Sequence, residues 1–140
     1  MSRALGAPSG PNYILVYLQV FSTLADDRRF TLSDFRVLMK MLGKIGMRNR
    51  WADFNQVELG KSLGMKQPHV SASLKKLTDA SIILRGDKTG KGHLYQLNAR
   101  FGWRGITEER HVRRDAAPRL VLLPAPRGDE ALPSGGPMSL

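Results

Sequence analysis

The sequence predicts a mainly α domain with a small β-hairpin, an α+β fold. Two observations predict it. Apolar residues recur at helical spacing in three stretches between residues 33 and 79, and capping residues or glycines bound these stretches. After them, two short apolar runs flank a turn rich in glycine and lysine, which is typical of a β-hairpin.

Only the middle of the chain has the composition of a folded domain. The chain has 140 residues, of which 41% are hydrophobic, enough for one modest core. Residues 1–11 are small and polar, so we expect a flexible leader, and residues 12–105 are predicted to form the domain. The segment 106–140 holds five of the eight prolines and is predicted to be a mostly disordered tail. Its apolar patch at 120–123 is expected either to contact a partner or to fold back as an edge strand.

Charge and composition narrow the function classes. The chain has 22 Lys and Arg against 12 Asp and Glu, a net charge of +10, which favours a polyanionic partner such as nucleic acid or an anionic membrane. The absence of cysteine excludes disulfides, zinc fingers, iron–sulfur clusters and thiol nucleophiles. The longest apolar stretch, residues 13–18, is too short to span a bilayer, and the N-terminus lacks the apolar core of a signal peptide. We therefore expect a soluble cytoplasmic protein with no membrane partner.

The first elements of the predicted domain are a strand and a helix. Residues 13–17 are β-branched, aromatic or apolar and predict a strand. Residues 18–25 either continue it or turn into a helix, and their spacing leaves both open. A helix follows, with Ser33 as its predicted cap and Gly46 as its predicted end.

Two short helices come next, after a short strand predicted at residues 50–53. Asn55 is predicted to cap the first of them, and Glu58 three residues later completes a capping box. Gly64 is expected to end this helix in a left-handed conformation. The second helix is predicted over residues 67–79, with Pro68 in its first turn and an apolar stripe of Val70, Leu74 and Leu77.

The hairpin completes the order of elements found in a winged helix-turn-helix DNA-binding domain. Its strands are predicted at residues 82–84 and 93–97, with the turn between them. The glycines and lysine of this turn do not have the spacing of a phosphate-binding loop, because three residues rather than four separate the glycines and Gly92 follows the lysine. We expect no nucleotide and no other cofactor.

One face of the second short helix has the side chains expected at a DNA groove. Gln67 is suited to an adenine edge, Ser71 to a base or a phosphate, and Ala72 to a thymine methyl group. Lys75 and Lys76 are expected to bind phosphates. The complete set of predicted DNA-binding residues is Lys66, Gln67, Pro68, His69, Ser71, Ala72, Lys75 and Lys76 on the helix, with Arg85, Lys88 and Lys91 on the hairpin.

A plain solvated helix face is the alternative interpretation. Such a face usually includes glutamates, whereas residues 66–78 contain no acid. His69, His93 and His111 have no metal-ligand spacing, so neither a catalytic nor a metal site is predicted. Trp51 and Trp103 are expected to pack in the core or at a hinge.

These residues resemble the winged-helix plasmid replication proteins of the RepL family over roughly residues 13–105. The resemblance rests on residues 13–17 (YILVY), 35–38 (FRVL), 47–50 (MRNR), 63–65 (LGM), 70–77 (VSASLKKL), 82–84 (IIL), 95–98 (YQLN), Phe101 and 103–105 (WRG). It implies plasmid replication initiation or copy control by origin binding, in the bacterial cytosol or nucleoid. A transcriptional regulator on the same scaffold, or a protein–protein interaction module, are the alternatives.

The partners expected are double-stranded DNA, a second copy of the chain in a homodimer, and host replication or transcription proteins that contact the tail. The sequence leaves open whether the homodimer forms.

Overall fold

The computed structural model describes residues 12–123 and 138–139. The leader predicted at residues 1–11 and most of the tail beyond residue 123 lie outside the described residues. The described elements, in order, are β1 (Leu15–Val16), α1 (Leu18–Asp26), α2 (Leu32–Leu42), β2 (Ala52–Phe54), α3 (Gln56–Leu63), α4 (Gln67–Asp79), β3 (Ile83–Lys88), β4 (His93–Leu97), β5 (Gly102–Trp103), α5 (Thr107–Ala116), β6 (Val121–Leu122) and β7 (Met138–Ser139).

The strands form three small antiparallel sheets, so the described residues are a mixed α and β arrangement compatible with the predicted α+β class. The largest sheet has the order β2-β4-β3, while β1 pairs with β5 and β6 pairs with β7. Within the described residues, no helix has the length and apolar character needed to cross a membrane.

The first helices begin and end at other residues than the sequence predicts. Residues 18–26 are helical, so the strand predicted at 13–17 is reduced to Leu15–Val16. The cap of α2 is Thr31 rather than Ser33. Thr31 and Asp34 form a reciprocal capping box, which fixes the start of α2 two residues earlier, and α2 ends before Gly43 rather than at Gly46.

The predicted bounds and caps of α3 and α4 are confirmed, except that Glu58 does not return the hydrogen bond that a capping box requires. The Asn55 side chain accepts hydrogen bonds from the backbone N–H groups of Val57 and Glu58 and caps α3. Gly64 ends α3 with a φ of 68°, the left-handed conformation that favours glycine. A second glycine that the sequence did not single out makes the turn possible, because a Cβ at Gly60 would lie 2.6 Å from the carbonyl oxygen of Met65.

The core lies where α2, α3 and α4 meet the β2-β4-β3 sheet. The predicted stripe of α4 is confirmed, since Val70, Leu74 and Leu77 are all buried. Val37 and Met41 from α2 are fully buried as well. At about 25 cal/mol per Å2 of apolar surface, this shared burial is the main stabilisation that orients α4.

A buried carboxylate, Asp34, joins α2 to α4. It accepts hydrogen bonds from the Thr31 N–H at 2.8 Å, the Ser73 hydroxyl at 2.5 Å and the Lys76 ammonium at 2.8 Å. Burial alone would raise the pKa of Asp34, but the hydrogen bonds from Lys76, Ser73 and Thr31 and the charge of Lys76 outweigh it, so the pKa lies below its ordinary value. Asp34 is therefore charged and fully partnered at neutral pH.

The chain does not leave the core at residue 105, where the sequence placed the end of the domain. Residues 107–116 form α5, whose acidic first turn and basic last turn suit the helix dipole. Leu120 and Leu122 are both fully buried in the core. This corrects the expectation of disorder for residues 106–123, and it favours the fold-back interpretation of the apolar patch.

Backbone hydrogen bonds hold this C-terminal segment against the domain. The Val121 N–H donates to the carbonyl of Ala80 at 3.0 Å, and the Leu123 N–H donates to the buried carboxylate of Asp27 at 2.8 Å. Asn98 donates to the carbonyl of Pro118. Composition missed this segment because only alternate residues of a short strand enter the core, and an average over a proline-rich region hides them.

We expect Leu122→Ala to lower the free energy of unfolding by about 2–5 kcal/mol, because it leaves a cavity in the core. Val121→Ala, at the neighbouring and partly exposed position, should change it by about 0.5 kcal/mol or less. Urea titrations of both variants measure the difference. If both substitutions lower the free energy of unfolding equally, the segment is not part of the core. Cooperative melting of a chain truncated after residue 105 would show the same.

Candidate nucleic-acid interface

The structure exposes nearly all the side chains that the sequence predicts at a DNA surface. The exposed members are Lys66, Gln67, Pro68, His69, Ser71, Ala72 and Lys75 at α4, and Arg85, Lys88 and Lys91 on the β3–β4 hairpin. The first turn of α4 contains no acidic residue, and its N-cap residue, Lys66, forms no side-chain cap. The positive end of the helix dipole therefore faces solvent without a neutralising carboxylate.

Lys76 does not belong to this exposed set. Its ammonium donates to the Asp34 carboxylate at 2.8 Å and to the backbone carbonyl of Arg29 at 3.0 Å. The Lys76 side chain is 38% exposed, whereas the Asp34 side chain is 3% exposed. Lys76 is therefore held by a buried acid 42 residues earlier in the chain, which disfavours the predicted contact of Lys76 with phosphate; that contact stays a prediction.

Lys75 differs from its neighbour. Its ammonium lies 3.1 Å from the carboxylate of Asp79, one turn later on α4, and both side chains are mostly exposed. Exposed pairs of this kind contribute about 0.3–0.5 kcal/mol. Lys75 can therefore exchange Asp79 for a stronger anionic partner at little energetic cost.

Gln56 connects the start of α4 to the hairpin, a role that the sequence did not reveal. The Gln67 amide nitrogen lies 3.4 Å from the Gln56 side-chain oxygen. Gln56 also lies near enough to the Tyr95 hydroxyl to affect its pKa, and Tyr95 pairs with Arg85 across the sheet. Burial raises the pKa of this hydroxyl despite the nearby charge of Arg85 and the nearby side chain of Gln56. The predicted residues Gln67 and Arg85 thus lie on elements joined through two side chains.

The turn of the hairpin is held in one geometry. The Thr89 N–H donates to the Gly92 carbonyl at 2.9 Å, and the Thr89 hydroxyl donates to the Asp53 carboxylate at 2.8 Å. A Cβ at Gly92 would overlap the Phe54 carbonyl oxygen, so only glycine allows this close approach to β2. Lys88 and Lys91 are exposed on either side of this turn.

Next to its turn, the hairpin contains an irregularity and an exposed aromatic ring. The register of β3 shifts between Arg85 and Lys88, and a Cβ at Gly86 would lie 2.8 Å from the ring of Trp51. Trp51 is 43% exposed, so it packs against the hairpin and not in the core as the buried Trp103 does. Sequence spacing could not show that Gly86 makes room for this ring.

The Arg85 guanidinium is partnered within the sheet. Its Nη2 lies 2.7 Å from the Nε2 of His93 on β4. Because a guanidinium only donates, the ring nitrogen of His93 is the acceptor in this contact. A phosphate carries negative charge and is a stronger acceptor for the Arg85 guanidinium than a ring nitrogen.

This surface presents cations, amides and hydroxyl groups, the chemistry of non-covalent anion binding. Among residues 12–123, no group of three histidine or acidic side chains is placed to hold a metal ion. In comparisons with known proteins, no family model matches the chain, and no curated protein and no solved structure matches it.

Adjacent lysines on α4 should respond differently to truncation. We expect Lys76→Ala to lower the free energy of unfolding by about 1–3 kcal/mol, because it removes a donor from a buried carboxylate. Lys75→Ala should change it by about 0.5 kcal/mol or less. Thermal or urea unfolding measures both. Equal stability of the two variants would contradict the structural role of Lys76.

Proposed function

We propose that this protein binds double-stranded DNA sequence-specifically through a winged helix-turn-helix. In this proposal α3 and α4 are the helix-turn-helix, and the β3–β4 hairpin is the wing. The observation that carries it is the exposed, acid-free face of α4 over residues 66–78, joined through Gln56 and Tyr95 to a hairpin with exposed lysines. The net charge of +10 adds a general attraction to polyanions.

The start of α4 enters the major groove in this mode of binding. An α-helix with its side chains is about 10–12 Å wide, which matches a groove of about 12 Å. Gln67 then meets an adenine edge, and Ser71 and Ala72 lie one turn further along the exposed face. Lys66 and Lys75 flank these uncharged residues and bind phosphates. In this arrangement the uncharged side chains in the groove contact the bases, while the lysines at the edges of the groove contact the phosphate backbone.

The hairpin makes the second contact. Lys88 and Lys91 lie at a turn whose geometry is held by Thr89 and Gly92. A rigid turn brings its charges to the backbone without an additional ordering cost. Trp51, partly exposed beside Gly86, lies against the same hairpin.

The role we propose is plasmid replication initiation or copy control, carried out by binding and without catalysis. Its support is the resemblance to the RepL family over residues 13–105. Repeated bound sites within an origin beside the coding gene would favour this role, and a site within a promoter would favour a regulator.

Selection of bound sites from random duplex DNA tests the proposal directly. We expect enrichment of one short motif, with weaker binding to scrambled duplexes of equal length. A selection that enriches no motif, with no retention of duplex DNA at low salt, would overturn the proposed function.

The hairpin lysines should set part of the salt dependence. We expect Lys88→Ala with Lys91→Ala to weaken binding to all duplexes alike. The slope of log K against log salt should fall by about 0.9 for each phosphate that the variant no longer neutralises. Lys40→Ala, an exposed lysine on α2, is the matched control and should leave the slope unchanged. An unchanged slope in the double variant would place the hairpin away from the DNA backbone.

Gln67 should affect discrimination rather than total affinity. On the selected site, we expect Gln67→Ala to cost about 1–3 kcal/mol, the contribution of a bidentate amide–adenine pair, with almost no loss on a scrambled duplex. The melting temperature of the variant should barely change, because the one hydrogen bond from the Gln67 side chain is long at 3.4 Å and exposed. Paired titrations at one salt concentration measure the difference. Equal losses on both duplexes would show that Gln67 does not read a base.

A further inference from the structure

An apolar groove lies between α1 and α2, apart from the proposed DNA-binding residues. Its volume is about 710 Å3. Its lining includes Phe21 and Leu24 from α1, Phe35, Leu38 and Met39 from α2, and Ile14 beside β1. The groove is open to solvent in the described part of the chain, and neither the fold nor the proposed function uses it.

Large apolar side chains continue this surface beyond the groove. Leu18 is 86% exposed and lies one turn before Phe21 on α1, and Leu32 is 75% exposed and lies one turn before Phe35 on α2. Met39 and Tyr13, which line the groove, are 67% and 61% exposed. Two helical stripes and the residues before β1 therefore form one apolar face, which we call the α1–α2 face.

The exposed area of this face has the size of a protein interface. A large apolar residue has about 200 Å2 of surface, so the exposed parts of Tyr13, Leu18, Phe21, Leu32 and Met39 total on the order of 700 Å2. The largest apolar patch on a typical monomer is about 300–600 Å2. Each partner in a standard interface buries about 800 Å2. The α1–α2 face is thus at the upper end of what a monomer usually leaves in water and close to what each partner in a stable dimer buries.

We infer that a second copy of this chain covers the α1–α2 face, in a two-fold symmetric dimer. The face has both a groove and protruding side chains at its rim, so the same patch on two copies is self-complementary, as two-fold symmetry requires. In the dimer, the Leu18 end of α1 in each copy enters the groove of the other. This inference stands independently of DNA binding.

Two other occupants fit the face less well. Residues 1–11 precede Tyr13 closely, but Met1 and Leu5 are their large apolar residues, too few to cover on the order of 700 Å2. A small apolar ligand would fill the groove and still leave Leu18 and Leu32 in water. A second copy covers both the groove and its rim.

Sedimentation of the full chain without DNA tests the inference. We expect the wild-type chain to form a dimer in a concentration series that reaches about 100 μM. Leu18→Glu and Met39→Glu should each raise the dissociation constant of the dimer about 100-fold or more, because each substitution occurs twice in a two-fold symmetric interface. Leu18 is the first residue of α1, where an acidic side chain suits the helix dipole, so the fold is retained. Val112→Glu, an equally apolar and 69% exposed position on α5, is the matched control.

Cysteine cross-linking gives an independent measurement. The chain has no cysteine, so Leu18→Cys should form an intermolecular disulfide under mild oxidation that Val112→Cys does not form. Three results would overturn the inference. The wild-type chain could be monomeric, Leu18→Glu and Met39→Glu could leave the dimer intact, or the chain could cross-link at Val112 alone. Dimerisation only after deletion of residues 1–11 would overturn it as well, since that segment would then occupy the face.

Discussion

The buried carboxylate of Asp34 is the constraint on which the rest of the structure depends. A buried charge is tolerated only when partners satisfy it, and three residues supply Asp34 with four donors: the Thr31 N–H and hydroxyl, the Ser73 hydroxyl and the Lys76 ammonium. Thr31 starts α2, and the other two lie one turn apart on α4. Together with the buried stripe of α4, their hydrogen bonds set the rotation of α4 about its axis. With residues 73 and 76 turned towards α2, Ser71 and Lys75 must face solvent.

A second buried acid, Asp27, performs a similar task for the C-terminal segment. Asp27 is 1% exposed and accepts hydrogen bonds from the Arg29 side chain and from the Leu123 N–H. Burial alone would raise the pKa of Asp27, but the hydrogen bonds from Arg29 and Leu123 hold it below its ordinary value. The two acids thus attach α4 and the C-terminal segment to the same helical pair, α1 and α2, and leave the outer face of α4 free for the proposed contact with DNA.

The elements nearest the candidate interface were the ones that the sequence predicted best. Asn55, Gly64 and Pro68 act on backbone groups within a few residues of themselves, so their effect is visible in local spacing. The bounds of α4 and β4 follow from such signals. The predicted start of α2 differs from the observed one for a related reason. Ser33 and Thr31 are both good N-cap residues, and Thr31 is the cap because the Asp34 side chain forms a capping box with it.

The sequence by itself determined that α4 has a buried apolar stripe and an opposite face without acids over residues 66–78, because helical periodicity relates residues three and four apart. Tertiary structure alone decided which lysine is available: Lys75 and Lys76 look equivalent in the sequence, and the distant Asp34 takes one of them. It also decided that Leu120 and Leu122 are core and that Trp51 lies against Gly86. Each of these arrangements joins residues that lie far apart in the chain, where no local spacing relates the partners.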